Sequence, residues 1–442
     1  MNAGLALAVN EAAPRHILMT ADAVGGVWQY ATDLCAVLGA AGHRVTLAVL
    51  GPAPSEEQRR EAARIEGLSL VETALPLDWL SARPEPIEQA ARDLAELARQ
   101  ERVDLVHCNM PTLAGAAAFP APLVAVTHGC VATWWQAARD GPLPPTFEWH
   151  KRMMARGLSA ADAVVAPSAA YAEMIRRTYA LPAAPLVVHN GRRARGVDGG
   201  DAADAGGDAA AERTATVLDA EAAPPGERAI VAGSPAAGRG SDAANSALPW
   251  SGAARSASVA PGAEPLHAAL TVGRLWDPVK QAALLDRVAA GLSLPFLAAG
   301  ACTGPHGEHF APAHLQALGQ VDGAALGALL ARRPMFVSAA TFEPFGLAVL
   351  EAAQAGCALV LSDIASFREL WDGAAIFVPP GEAGAFAAAI ERIAAEPALR
   401  AELGAAAAAR AARYTPEASG AAMMRLYAEV HDSFSSHREV AA

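Results

Sequence analysis

Short apolar runs alternate with helical patterns of polar and apolar positions along the first 190 residues of the chain. One helical pattern opens at Gly25-Gly26 and continues to about Ala40, and another covers Ile87–Arg99. The apolar runs between such segments have the length and composition of buried strands, which predicts right-handed βαβ units and a parallel sheet. The predicted strands are Ile17–Met19, Val45–Leu50, Leu105–His107, Leu123–Thr127, Ala163–Pro167 and Pro185–Val188.

The same alternation resumes in the second half of the chain and predicts a second parallel sheet. An alanine-rich tail through Ala412 and a helix near Pro416–Phe434 then close the chain, and we expect this last helix to cross back to the first domain. The predicted fold class is α/β, with two Rossmann-like domains whose sheets face a cleft. The predicted strands of the second domain are Ala269–Val272, Leu294–Ala299, Met335–Val337, Leu359–Leu361 and Ile376–Val378.

The alternation stops between the two halves. From Arg192 to Pro265 the sequence is rich in Ala, Gly, Asp, Ser and Pro, and Trp250 is its single aromatic residue. Such a segment buries too little apolar surface to offset the entropy of ordering, so we predict a disordered insertion. The predicted boundaries are 1–191 for the first domain, 192–265 for the insertion, 266–412 for the second domain and 413–442 for the final helix.

The length, composition and charge of the chain exclude some classes of protein. A chain of 442 residues is too long for one ordinary hydrophobic core. Its residues are 53% apolar but only 5% aromatic, because much of the apolar content is alanine. The formal charge of −12 argues against a nucleic-acid binder, which needs a basic face, and against a strongly polybasic membrane anchor. Weak peripheral contact with a membrane requires only a short stretch of sequence, so it stays an alternative.

The cysteines and the N-terminus indicate a cytoplasmic protein. The five cysteines are scattered without a C-x-x-C pair, which fits a reducing compartment and gives no metal framework. The cluster of His306, His309 and His314 lacks helical ligand spacing, so we expect no metal site. The apolar run near the N-terminus lacks the basic residues of a secretory signal.

Two glutamates eight positions apart, Glu343 and Glu351, flank the loop Pro344–Gly346, and a helix opens near Leu347. A helix N-terminus after a strand offers unpaired N–H groups and a partial positive charge that suit a phosphate. A diphosphate lying there would have one carboxylate for a ribose and one for a sugar, which describes a nucleotide-sugar site. Such a pair also arises by chance in a long chain, and Glu351 could simply favour the helix dipole.

Two cations, Arg274 and Lys280, follow the predicted strand Ala269–Val272. At the carboxyl end of a parallel strand they are well placed to neutralise a leaving diphosphate. The alternative is a surface turn with two solvated cations.

The first domain contributes three weaker candidates. Gly25 and Gly26 follow the first strand and permit close approach of a phosphate or sugar, or they form only a turn. His128 follows the strand Leu123–Thr127 and is expected at the cleft edge, although a lone histidine is more often structural. The pair Trp134-Trp135 could stack on an acceptor or pack between the domains, and packing is favoured.

The stretch from Thr341 to Gly356 resembles the donor-site motif of the retaining glycosyltransferases of family 4, which have the GT-B fold. The resemblance spans most of the chain except the predicted insertion. It implies transfer of a sugar from a nucleoside-diphosphate sugar to a hydroxyl of a glycan, lipid or small-molecule acceptor, without a metal ion or a separate cofactor. It also implies a role in cell-envelope or exopolysaccharide glycan synthesis.

The resemblance extends to individual positions. Glu351 is expected to hold the ribose hydroxyls and Glu343 the donor sugar, while Arg274 and Lys280 form a diphosphate clamp and His128 lies near the sugar. The residues expected to act in catalysis are His128, Arg274, Lys280 and Glu343, and those expected to bind the donor are Gly25, Gly26, Phe345, Gly346, Leu347 and Glu351.

The sequence also departs from the family pattern. The loop from Arg274 to Lys280 is one residue longer than is common, and Gln281 replaces the usual glycine, which leaves the reach of Lys280 open. Two rival functions remain. A nucleotide-sugar 2-epimerase of the same fold would need further acid and base groups in the cleft. A non-catalytic nucleotide-sugar-binding or scaffold protein would not need the charged residues that the motif retains.

Overall fold

Residues 15–194 and 265–441 are described by a computed structural model of the chain, with side chains up to residue 436. They contain two parallel β-sheets, each covered by helices on both faces, and this confirms the predicted α/β fold class with two Rossmann-like domains. The predicted insertion lies for the most part outside the described residues, so its disorder stays a prediction.

The first domain has a seven-stranded parallel sheet of order β3-β2-β1-β4-β5-β6-β7. Its strands are β1 (His16–Asp22), β2 (Arg44–Leu50), β3 (Leu68–Glu72), β4 (Leu105–Cys108), β5 (Leu123–Val126), β6 (Ala163–Ala166) and β7 (Leu186–Val187). Its helices are α1 (Gly26–Ala40), α2 (Glu56–Ala63), α3 (Glu85–Gln100), α4 (Val131–Ala138), α5 (Glu148–Ala160) and α6 (Ala169–Tyr179).

The second domain has a six-stranded parallel sheet of order β10-β9-β8-β11-β12-β13. Its strands are β8 (Ala269–Val272), β9 (Phe296–Ala299), β10 (Gln316–Gly319), β11 (Met335–Ser338), β12 (Leu359–Ser362) and β13 (Ile376–Val378). The helices of this half are α7 (Ala282–Ala290), α8 (Gly323–Ala331), α9 (Leu347–Gln354), α10 (Ala365–Trp371), α11 (Ala383–Ala395), α12 (Pro397–Ala411) and α13 (Pro416–Ala441).

Strands β3 and β10 are not among the strands that the apolar runs predict. Both lie at the edge of their sheet, and most residues of β10 are exposed. An edge strand covered on fewer sides needs fewer apolar side chains, so it lacks the continuous apolar run of a central parallel strand.

Strand order in both sheets reverses at one position, between β1 and β4 in the first and between β8 and β11 in the second. In open parallel sheets a crevice forms at this reversal, outside the carboxyl ends of the strands, and ligands bind there. The loops that follow β1, β4, β8 and β11 are therefore the segments where the fold positions functional groups.

The chain crosses between the domains twice, and the two crossings touch each other. The backbone N–H of Arg192 donates to the carbonyl of Tyr414 at 3.2 Å. A Cβ on Gly191 would lie 2.1 Å from the carbonyl oxygen of Thr415, so only glycine permits this approach. The described residues at the two crossings are therefore packed directly against each other.

The last helix, α13, packs on the first domain, where Met423, Tyr427 and Val430 join the apolar core under α1. The Tyr427 hydroxyl donates to Nδ1 of His107 at 2.6 Å, and Nε2 of His107 lies 3.0 Å from Oδ1 of Asn109. Burial lowers the pKa of His107 to about 4.

Within the described residues, no helix has the length and apolar character to span a membrane.

We predict that His107 makes the first domain less stable in acid. Between its unfolded pKa near 6.5 and its folded pKa of about 4, the unfolded state binds a proton that the folded state excludes, so stability falls as the pH falls. From pH 6.5 to 5, the free energy of unfolding should drop by about 1.5 kcal/mol more in the wild type than in His107→Gln. Urea denaturation at both pH values measures this difference, and equal losses in the two proteins would contradict it.

Candidate active site

The loop after β11 turns sharply into α9. Gly346 has φ of 91°, in the left-handed region that favours glycine, and α9 begins at the next residue, Leu347. The ring of Phe345 is buried and anchors the loop. The Ser168 hydroxyl of the first domain donates to the Pro344 carbonyl at 2.6 Å. The loop is therefore held from both domains, with the N–H groups of the first turn of α9 at its end.

Lys280 and Glu343 form an ion pair across the carboxyl ends of β8 and β11. Both side chains keep part of their surface exposed to a small pocket, which Thr271, Gly273, Ser338 and Val349 also line. The longer loop after Arg274 thus still brings Lys280 to the donor-site motif. Lys280 lies in the turn Pro278–Lys280, and Gln281 follows with φ of 56°, so a non-glycine residue occupies a left-handed position here.

Arg274 is anchored by one buried carboxylate. Its Nη2 donates to Oδ2 of Asp277 at 2.8 Å, and its guanidinium lies 5.6 Å from the ring centre of Trp276. About half of the side chain remains exposed in the cleft. Across the cleft, burial raises the pKa of Asp22 at the end of β1, while Arg274 and two backbone N–H groups oppose that rise.

Glu351, one turn into α9, is bound by an arginine of the interdomain linker. Nε of Arg192 donates to Oε1 of Glu351, and Nη1 donates to Oδ2 of Asp33 on α1, both at 2.7 Å. All three residues are at most 9% exposed. Burial raises the pKa of Asp33, and the charge of Arg192 opposes that rise. One guanidinium therefore joins a carboxylate of each domain.

His128 lies at the end of β5 in a hydrogen-bond network. The Asn109 side-chain N–H donates to the Thr20 carbonyl at 2.6 Å, so its Oδ1 is the acceptor for Nε2 of His128 at 2.8 Å and for His107. Both histidines therefore carry their proton on Nε2, which leaves Nδ1 of His128 with a lone pair. Burial is the main cause that holds the pKa of His128 well below its usual range, and the neighbouring His107 lowers this pKa further. The ring is therefore neutral.

The glycine-rich loop after β1 faces the same motif. A Cβ on Gly26 would lie 3.3 Å from Cδ1 of Leu347, while the space beside Gly25 is open. The loops that carry the predicted donor-binding glycines of the two domains thus meet across the cleft.

An apolar cluster closes the cleft beside the charged residues. Met154, Leu158 and Tyr171 of the first domain pack with Val279 and Phe342 of the second, and the ring of Trp134 packs against them. Glu369 of α10 accepts hydrogen bonds from the N–H groups of Ala169 and Ala170, the first residues of α6, at 2.8 and 2.7 Å. The two domains are therefore in contact on both sides of the candidate site.

Several residues of this site have no counterpart among the sequence candidates. Asp22 and Asn109 follow β1 and β4, so a strand order derived from the sequence would have placed them at the crevice. Asp277 lies in the loop between the two predicted cations, Arg274 and Lys280, but is not itself among the sequence candidates. Arg192 falls at the start of the predicted insertion, where no local pattern distinguishes it from the arginines that follow.

Two family models match the chain, one in each domain. The model described as Glycosyltransferase Family 4 matches residues 24–193, and the model described as Glycosyl transferases group 1 matches residues 307–410. A search of the curated proteins found no match.

Solved structures share the fold at low sequence identity. Sucrose-phosphate synthase from Thermosynechococcus elongatus is 18% identical with a TM-score of 0.66, over 95% of this chain and 100% of that one. A glycosyltransferase from Rickettsia africae is 16% identical with a TM-score of 0.59, over 94% and 98%. HepE of Anabaena, in complex with UDP and glucose, is 14% identical with a TM-score of 0.60, over 94% and 100%.

We predict that Arg192→Met lowers the free energy of unfolding by about 3 kcal/mol, because it leaves two buried carboxylates without their shared cation. The matched control is Arg177→Gln, which removes an exposed i,i+4 partner of Glu173 and should cost less than about 1 kcal/mol. Urea denaturation followed by tryptophan fluorescence measures both. Equal stability of the two variants would show that the buried network contributes little.

Proposed function

Since the chain belongs to the family 4 glycosyltransferases of GT-B fold, we propose that it transfers a sugar from a nucleoside-diphosphate sugar to an acceptor hydroxyl, with retention at the anomeric carbon and without a metal ion. The observation that carries this proposal is the meeting of Arg274, Lys280 and the N-terminus of α9 at the crevice of the second sheet. These are the groups that a diphosphate requires.

The charge of the leaving diphosphate is what the second domain can stabilise. When the bond between the sugar and the diphosphate breaks, negative charge develops on the phosphate oxygens, and fixed cations and N–H groups stabilise it most when they are already in place. Arg274 is fixed by Asp277, and the loop of α9 is fixed by Phe345 and Ser168. Lys280 would exchange its partner Glu343 for a phosphate oxygen.

The two glutamates then take separate roles. Glu343, once released by Lys280, would accept hydrogen bonds from the donor sugar, and Glu351 would accept them from the ribose hydroxyls. Arg192 donates to Oε1 of Glu351 and thereby holds this carboxylate in place on α9.

The first domain would present the acceptor hydroxyl to the sugar site. The acceptor oxygen forms a bond to the anomeric carbon on the face that the diphosphate leaves, and its proton passes to a diphosphate oxygen, so no covalent enzyme intermediate forms. The neutral His128 has a lone pair on Nδ1 that would accept a hydrogen bond from a sugar hydroxyl. We place this reaction in cytoplasmic synthesis of a cell-envelope glycan or exopolysaccharide.

We predict that one nucleoside diphosphate and its sugar conjugate raise the melting temperature of the protein, in a screen of UDP, GDP, ADP and their sugars. A ligand at about 100 times its Kd stabilises the folded state by about 2.7 kcal/mol. UDP-glucose is the first donor to test, because UDP and glucose occupy the HepE complex.

The lysines supply the controls for this screen. The chain contains two lysines, Lys151 and Lys280. Lys280→Ala should abolish most of the shift, since it removes a cation from the diphosphate site, whereas Lys151→Ala should keep it. Absence of a shift with every nucleotide, or an equal shift in Lys280→Ala, would overturn the proposed donor site.

A further inference from the structure

The carboxylate of Asp277 accepts hydrogen bonds from two donors in its own loop and from one in the first domain. Its Oδ2 accepts the bond from Nη2 of Arg274 at 2.8 Å, and its Oδ1 accepts from the backbone N–H of Val279 at 3.2 Å. Its Oδ1 also accepts from the indole N–H of Trp134 at 3.0 Å, and Trp134 lies on α4 of the first domain. Asp277 is only 1% exposed.

A carboxylate this deeply buried depends on its donors. Removing an ionised oxygen from water is costly unless hydrogen bonds replace the lost hydration. One of the three donors of Asp277 comes from the opposite domain, so this compensation is complete only while α4 lies against the loop after β8. The position of the first domain therefore bears directly on Asp277.

Both cations of the donor site depend in turn on Asp277. Arg274 is oriented by the bond to Oδ2 and keeps its other guanidinium surface toward the cleft. The bond from Val279 caps the turn Pro278–Lys280, and that turn presents Lys280 to Glu343. A shift of Asp277 would displace both cations together.

We propose that Asp277 is a positioning residue that couples contact with the first domain, through the indole N–H of Trp134, to the alignment of Arg274 and Lys280. The proposal rests on the proposed function, since it assigns these two cations to the leaving diphosphate. It also gives a role to the loop between them, which is longer than the family pattern and contains Asp277.

Variants of two neighbouring tryptophans, Trp134 and Trp135, distinguish this coupling from an effect of packing alone. Trp134→Phe keeps an aromatic ring in the apolar cluster and removes the N–H that reaches Asp277. Trp135→Phe makes the same chemical change next to it, but the indole N–H of Trp135 makes no hydrogen bond to any described residue. The second variant is therefore a matched control.

Steady-state transfer and nucleotide binding measured on the full chain test the proposal. We expect Trp134→Phe to lower kcat about tenfold, the size of effect typical of a lost positioning contact, and to raise the Kd of the bare nucleoside diphosphate by a smaller factor, because both cations remain in the site. Asp277→Asn should lower kcat at least as far, and adding Trp134→Phe to it should have little further effect, because both changes break one network. Trp135→Phe should match the wild type.

Backbone hydrogen exchange without any nucleotide provides a second measurement. Residues 274–281 should exchange faster in Trp134→Phe than in Trp135→Phe. Equal kcat and equal exchange in these two variants, in a protein that transfers sugar normally, would overturn the role of Asp277 and leave the proposed function intact. A wild type that neither binds nor transfers any nucleotide sugar would instead overturn the proposed function.

Discussion

Arg192 lies buried between Asp33 of the first domain and Glu351 of the second, and the arrangement of the two domains depends on this contact. A guanidinium and two carboxylates removed from water are tolerated only when each has its partner in place. Separation of the domains would take Arg192 away from at least one of the two carboxylates. Arg192 follows Gly191 directly, so the same contact adjoins the packing of Gly191 against Thr415, where the last helix returns to the first domain.

The contact also links the position of the domains to the proposed donor site. Glu351 stands one turn into α9, on the helix whose N-terminus faces the two cations, so the residue proposed to hold the ribose is also the residue that Arg192 ties to α1. On the other side of the cleft, Trp134 reaches Asp277 and thereby Arg274. Polar contacts at both ends of the cleft thus connect the first domain to the groups that we propose to face the diphosphate. The site is complete only when the two domains are together.

The fold could be predicted from the sequence because it depends on local periodicity. Central parallel strands such as β1 and β12 contain the apolar runs Ile17–Met19 and Leu359–Leu361, and the Glu343–Glu351 spacing marks the strand-loop-helix unit at the proposed donor site. Contacts between distant segments could not be predicted in this way. The pairing of Lys280 with Glu343 joins residues 63 positions apart, and that of Arg192 with Asp33 joins residues 159 apart. No local pattern encodes either contact.

Chemical labelling of the two lysines, with and without the nucleotide sugar that stabilises the protein, tests the central claim most directly. Acylation of primary amines followed by mass spectrometry reports Lys280 and Lys151 in one experiment, and Lys151 serves as the internal reference. If the diphosphate lies at the N-terminus of α9 against Lys280, the ligand should slow labelling of Lys280 and leave Lys151 unchanged. Equal labelling of Lys280 in both states would show that the donor binds elsewhere.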